Sequence, residues 1–349
     1  DALFGRLPGR LSYLTVAGGT VFATLSGSSM ANTAMLGSLM VPEMTRRGYK
    51  RHMAFGPILG TGGLAMIIPP SALAVLLGSL AQIDIGKLLI AGVLPGLVLA
   101  AMYTLLIYTQ VRLDPDAAPG YAVEPVGLAR KIRLVFTHLL PMGLVVFMVV
   151  GMILLGLATP SEAAAFGALG VVILAVIFRG LTWTAFRKSV TGALRVTSMV
   201  FLIITGSSTF SQILAASGAT SGMVAWATDI QVAPLVFLFV MFVIVLFLGM
   251  LMEQISIMML TIPVFFPLAQ HLGFDLIWFG VIMLLALEIS LATPPFGLGL
   301  FVMMGVAPRG TTLPEVSLAA APYVGAAILL VIIMAFYPPI ATFLPGLMQ

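Results

Sequence analysis

The sequence predicts an all-α polytopic membrane protein built from two inverted repeats, each holding a re-entrant helical hairpin and a helix broken at a double proline. Three observations carry this: an extreme apolar composition, paired apolar arms too short to span a bilayer singly, and a spacing of breaks that recurs in the two halves. Of the 349 residues, 60% are hydrophobic and 8% charged, and the mean hydropathy is +1.16, which excludes a soluble domain. There is no cysteine, hence no disulfide framework and no thiolate metal site. A net charge of +4 dispersed over short loops offers nothing to a nucleic acid, so the expected environment is the lipid bilayer. The chain begins at Asp1 with neither Met nor a signal pattern and is expected to continue a longer one.

Residues 11–45 form two apolar arms around Ser26-Gly27-Ser28-Ser29, with Arg6 and Arg10 before them and Arg46 and Arg47 after. Each arm is about 15 residues, short of the roughly 20 that a helix needs to cross the hydrocarbon. A hairpin that enters and leaves on one side, with its small hydroxylated tip at mid-depth, reconciles these facts. Backbone polar groups freed at such a tip must be enclosed by protein or line a wet cavity, which marks the tip as a site. The apolar run over 53–80 is broken at Pro69-Pro70, where two backbone donors are lost and the rings clash with the preceding turn. Residues 88–111 form the next helix, and the polar, Pro- and Gly-containing segment 112–133 is the evident linker. The stretch 134–157 crosses outward, and Thr159-Pro160-Ser161-Glu162 opens the following helix as a capping box with Pro at its first position. Glu162 is therefore read as a cap rather than a catalyst. Gly206-Ser207-Ser208, in a helix over 189–215, is read as a close-packing patch.

From residue 232 the opening pattern returns: an arm over 232–248, a break near Gly249-Met250, a second arm over 251–268, then a helix from 276 broken at Pro294-Pro295. Gly48-Tyr49 precedes Pro69 by 21 residues and Gly273-Phe274 precedes Pro294 by 21. The hairpin breaks at Gly27 and Gly249 precede those prolines by 42 and 45, and Pro95 and Pro322 follow them by 26 and 28. Four coincidences in register argue for an internal repeat. Because cytoplasmic loops collect Lys and Arg, threading the spans from Arg46 inside places Arg112, Arg130, Lys131, Arg133, Arg179, Arg187, Lys188 and Arg309 on the same side, with Lys87 opposite. The first hairpin then opens to the cytoplasm and the second, flanked by Asp229 and Asp275, to the exterior. Antiparallel repeats with mid-membrane breaks are the architecture of secondary transporters.

Taken as an ordered set, these residues resemble a known family. Ser26-Gly27-Ser28-Ser29, Pro42-Glu43-Met44, Ile68-Pro69-Pro70-Ser71, Ala91-Gly92-Val93-Leu94-Pro95-Gly96, Thr159-Pro160-Ser161-Glu162, Gly249-Met250 with Glu253, Gly273-Phe274-Asp275 and Thr293-Pro294-Pro295-Phe296-Gly297 look like the large membrane subunit of tripartite ATP-independent periplasmic (TRAP) transporters. The resemblance implies a permease of the bacterial inner membrane working with a small membrane subunit and a periplasmic binding protein that delivers an organic acid, coupled to Na⁺ entry. It also implies an elevator architecture in which the hairpins and broken helices travel together, here relative to helices such as 88–111 and 134–157. Two helices precede the second repeat but none precedes the first, so two N-terminal helices are expected to be missing.

A hard cation takes oxygen ligands, and helix ends deep in a bilayer offer carbonyls with no intrahelical partner. One Na⁺ site is expected from Ser26, Gly27, Ser28 and Ser29 with Gly63, Pro69 and Ser71, and a second from Gly249, Met250 and Glu253 with Thr293 and Pro294. Na⁺ is the only metal and the only cofactor expected. Asn32, Thr33, Gln254 and Ser256, early in the two second arms, are the candidate substrate-binding residues, aided by the positive ends of half-helices. Glu253 and Glu288 read as the acids deep in the apolar core, where function is the default interpretation. Glu253 stands near the second tip; Glu288 is left open between a packing partner and a proton-linked site. His138 is read as structural and the Met-rich runs as core filler.

The expected division is a first repeat over 1–111 (hairpin 11–45, broken helix 53–80, helix 88–111), a cytoplasmic linker over 112–133, connecting scaffold helices over 134–231 and a second repeat over 232–349 (hairpin 232–268, broken helix 276–306, helix 316–338). The nearest rival is a Na⁺/carboxylate symporter that needs no binding protein. A channel fits paired inverted breaks less well than alternating access. An intramembrane enzyme has no support, since His52, His138 and His271 form no metal-spaced pair and neither H-E-x-x-H nor G-x-S-x-G occurs.

Overall fold

The computed structural model describes residues 8–120, 127, 133, 135–229 and 232–348, with the side chains of 24, 25, 138, 139, 220 and 226–228 outside that description. Arg6, Arg130, Lys131 and the His138 side chain thus lie outside the described residues. Among those described the chain is entirely helical. Five helices are long and apolar enough to cross a membrane, or six if one bent pair counts as a single span.

The first hairpin is α1 (Arg10–Ser26) and α2 (Ser29–Arg46). Neither is among the helices long and apolar enough to cross; the 17 residues of α1 at ~1.5 Å each give about 26 Å. The arms lie side by side, because the Asn32 amide on α2 donates to the Gly19 carbonyl of α1 at 3.3 Å. The turn between them needs Gly27, whose φ of 56° is left-handed and whose missing side chain matters again at the site. Ser28 caps α2 by accepting from the Ala31 N–H at 3.4 Å.

The broken helix is α3 (Arg51–Ile67) and α4 (Ala72–Ala81), bent by 42° across Pro69-Pro70. Ser71 restarts it by accepting from the Ala74 N–H at 3.2 Å. The stretch expected as a helix over 88–111 is one span over Ile85–Leu113 with a single turn residue at Gly92, between α5 (Ile85–Ala91) and α6 (Val93–Leu113). The cause is local: any side chain on Gly92 would overlap the Ile67 carbonyl, the last of α3, and one on Gly96 would overlap Ile68. Tyr103 of α6 is fully buried. The stretch is therefore wedged against the break of α3.

The connecting helices are α7 (Leu140–Leu154), α8 (Pro160–Ile177), α9 (Trp183–Ala216) and α10 (Ala219–Asp229). The wider π winding before and within α7, at Val135–Leu139 and Phe147–Gly151, has no signal in the sequence pattern. The capping box of α8 forms as read: Thr159 N–H donates to Glu162 at 2.8 Å and Glu162 N–H to the Thr159 hydroxyl at 3.4 Å. Ser207 is the one buried residue along α9.

The second half repeats the order of elements: α11 (Pro234–Gly249) and α12 (Gln254–His271), then α13 (Leu276–Leu291) and α14 (Leu298–Val306) around Pro294-Pro295, then α15 (Leu313–Phe336) and α16 (Pro339–Gly346). The core lies where α3 and α13 meet, both buried along nearly their whole length.

Helix directions follow from contacts on α15. Arg51 at the start of α3 pairs with Glu315 at the start of α15 at 2.7 Å, and Gly56 and Gly60 of α3 pack on Tyr323. In contrast, Trp278 at the start of α13 donates to the Met334 carbonyl at the end of α15, at 2.9 Å. So α3 runs with α15 and α13 runs against it, and the two broken helices point in opposite directions. Lys50 pairs with Asp114 at 2.5 Å, which puts the end of α6 on the same face as the start of α3.

Candidate ion and substrate site

The tip of the first hairpin docks onto the break of the first broken helix. A Cβ on Gly27 would stand 3.3 Å from the Pro70 carbonyl and 3.6 Å from the Ala72 nitrogen, so only glycine lets the two backbones meet this closely. Gly27 thereby comes against the Pro70 carbonyl, next to Ser71 at the start of α4. Two helix starts, those of α2 and α4, converge here, each capped by a serine; converging N–H groups and dipole ends favour an anion. Gly63 lies one helical turn before the break. Any side chain on it would overlap the carboxylate of Glu288, and one on its neighbour Gly62 would overlap the Thr33 hydroxyl.

Glu288 therefore enters the first site from the opposite half of the chain, an assignment sequence spacing did not supply. It is 5% exposed, its Oε2 has no hydrogen-bond partner, and among the described residues no Lys, Arg or His pairs with it. The Ser29 hydroxyl lies beside this carboxylate without a hydrogen bond of ordinary geometry. Asn32 Oδ1, on the same turn of α2, is also buried without a partner. Buried polar atoms are nearly always satisfied, so three orphaned oxygens around one crossing are a strong sign of a ligand site.

At the second hairpin, Gly249 ends α11 against Ser290 of α13, so closely that any side chain would overlap Ser290. Thr293 follows one turn later and donates to the Ile289 carbonyl at 2.6 Å; Pro294 is exposed beside it. Met250 lies in the turn after α11. Glu253 differs from its expected setting: it is exposed and caps α12, accepting from the Ser256 N–H at 2.9 Å and the Ser256 hydroxyl at 3.1 Å. Of the two acids read as deep, only Glu288 is.

The candidate substrate residues fall into two settings. Asn32 is fully buried and donates to the Gly19 and Thr61 carbonyls, the latter at 2.9 Å, so its amide braces α2 between α1 and α3. Thr33 is 3% exposed. Gln254 is buried and reaches across to the Met66 sulfur at 3.4 Å, joining the second hairpin to the first broken helix. Ser256 is half-buried and engaged with Glu253. No group of three or more His, Cys, Asp or Glu that could hold a metal ion occurs among the described residues, so a cation here would rest on carbonyls, hydroxyls and at most one carboxylate.

Comparison with known proteins places this geometry. The chain matches the family described as "Tripartite ATP-independent periplasmic transporter, DctM component" over residues 1–340. It is 33% identical to the C4-dicarboxylate TRAP transporter large permease protein DctM of Pseudomonas aeruginosa, over 99% of this chain and 80% of that protein. It is 30% identical to the isethionate TRAP transporter permease protein DctMQ of Oleidesulfovibrio alaskensis, over 99% of this chain and 54% of that one. It is 29% identical to the ectoine/5-hydroxyectoine TRAP transporter large permease protein UehC of Ruegeria pomeroyi, over 99% and 79%. With breaks, caps and tip glycines where the resemblance set them, the chain belongs to the DctM family of TRAP transporter large permeases.

Proposed function

We propose that this chain is the permease subunit of a Na⁺-coupled importer of organic acids in the bacterial inner membrane, working by elevator-type alternating access. Its partners are a periplasmic binding protein that delivers the substrate and a small membrane subunit. The observation that carries the reading is the opposed direction of α3 and α13, each interrupted at a double proline and each met by the tip of a helical pair at or near its break. Two half-sites of opposite orientation are what inverted-repeat transporters use. Na⁺ fills the first from Ser26, Gly27, Ser28, Ser29, Gly63, Pro69 and Ser71, and the second from Gly249, Met250, Thr293 and Pro294, with Glu253 serving as the cap of α12. An organic anion sits between them, drawn by the starts of α2 and α4 and contacted by Asn32, Thr33, Gln254 and Ser256. Relatives named for C4-dicarboxylate, isethionate and ectoine support a small organic substrate.

The test is substrate-dependent ²²Na⁺ uptake into proteoliposomes holding the permease with its partners. Ser28→Ala combined with Thr293→Ala should weaken Na⁺ activation more than it lowers thermal stability. Na⁺ activation that stays unchanged in the folded double variant would remove these residues from the ion sites, and uptake without the binding protein would favour the simpler symporter.

A further inference from the structure

We propose that Glu288 is the anionic ligand of the first Na⁺ site, supplied by the opposite repeat, so that the bound ion ties the first hairpin to the second broken helix. This rests on the Na⁺ reading above and adds a residue and a role to it. A charged carboxylate in the middle of a membrane protein is costly unless paired, and no cationic side chain pairs with Glu288 among the described residues. Hydration cannot replace a counter-charge here: the void bordered by Glu288, Tyr103 and Tyr323 is about 10 Å³, room for one water at most.

The remaining choices are a proton or a cation, and the surrounding atoms favour the cation. A proton on Glu288 would supply one donor, to be shared among the neighbouring oxygens, whereas a cation draws all of them at once. The unpartnered atoms are instead a carboxylate oxygen, the Ser29 hydroxyl beside it and Asn32 Oδ1 on the same turn, all at least nine-tenths buried. The Asn32 amide nitrogen already serves two carbonyls, which fixes its orientation and leaves the oxygen with nothing to accept. Hydroxyl, amide and carboxylate oxygens are hard ligands, and one carboxylate balances one monovalent charge. Gly63 clears the space that the carboxylate occupies, and Gly62 lets α2 close on α3 at Thr33 and the Ser29 carbonyl.

The test compares Na⁺ with K⁺ at equal ionic strength, reading Na⁺-dependent thermal stabilisation and ²²Na⁺ binding of the full permease with its partners. Glu288→Gln keeps the shape and removes the charge. It should raise the half-saturating Na⁺ concentration about tenfold or more, ~1.4 kcal/mol, and Ser29→Ala should add less in the Glu288→Gln background than alone, as coupled ligands do. Should Glu288→Gln fail to fold, the infrared difference spectrum of the wild type keeps the proposal testable: Na⁺, unlike K⁺, should shift a carboxylate band. Wild type without any Na⁺ response defeats both this proposal and the Na⁺ reading. A wild-type response with Glu288→Gln unchanged, or with the carboxylate bands unmoved, defeats this proposal alone.

Discussion

Glu253 and Glu288 look alike in the sequence, single acids in long apolar runs, and the structure separates them by what each oxygen touches. Glu253 Oε1 accepts from Ser256 and begins α12, an uncommon use of glutamate, since caps are normally Ser, Thr, Asp or Asn. Glu253→Ala should therefore cost about 1 kcal/mol of stability as a lost cap, while Glu253→Asn should keep both the cap and Na⁺ activation. Thermal unfolding and Na⁺-dependent uptake on the two variants check this; an Asn variant that is stable but insensitive to Na⁺ would return Glu253 to an ion role. The serines and Gly27 at the first tip were legible because hydroxylated and flexible residues rarely interrupt an apolar run without cause. The meeting of Gly63 with Glu288 was not, because it joins positions 225 residues apart through packing of two helices with no periodic signal between them.

At the scale of elements, length and proline did most of the specifying. The arms of 17 and 18 residues and the breaks at Pro69-Pro70 and Pro294-Pro295 fall where the sequence set them, because proline's missing donor acts locally. The close approach of Gly92 to the Ile67 carbonyl answers to a neighbour outside its own helix and escaped it, and the π winding around α7 has no signal in the sequence. Cysteines at Thr45 and Gly310 should label from one side and cysteines at Gln82 and Gln270 from the other, as the pairing of Arg51 with Glu315 and of Trp278 with Met334 implies, and the Lys and Arg distribution makes the first side the cytoplasm. Labelling of 45 and 270 from one face would be incompatible with opposed repeats. On the face where α3 begins, the Lys50 ammonium, hydrogen-bonded to Asp114, holds that carboxyl below its usual range. A depressed folded value stabilises above the unfolded one and fades as pH falls through it. The stability difference between wild type and Asp114→Asn should then be constant near neutrality and shrink only below about pH 4; a difference that vanishes between pH 5 and 8 would mean the pair is not what links α3 to α6.

For the molecule as a whole, the question is which helices travel with the site. The hairpins and broken helices interlock through Gly27 at Pro70, Gly249 at Ser290, Gln254 at Met66 and Glu288 at Gly63, contacts too close to slide past one another. The helix α6 joins them: Gly92 admits the Ile67 carbonyl and Tyr103 packs on Tyr323 of α15, ring centroids 5.2 Å apart. By contrast α9, with 34 residues and a single buried one, touches this body along one side only, at α12, where Gly206 faces Met259, and at α4. If the site is carried across the membrane, the sliding surface lies between α9 and α12 rather than between α3 and α6. Cysteines at 206 and 259 joined by a short bismaleimide should therefore abolish transport while leaving Na⁺ binding measurable. The same reagent across cysteines at 50 and 114, where Lys50 already meets Asp114, should leave transport intact. Full transport in the first cross-linked protein would fix α9 to the moving body, and loss of transport in the second would put α6 back among the stationary helices.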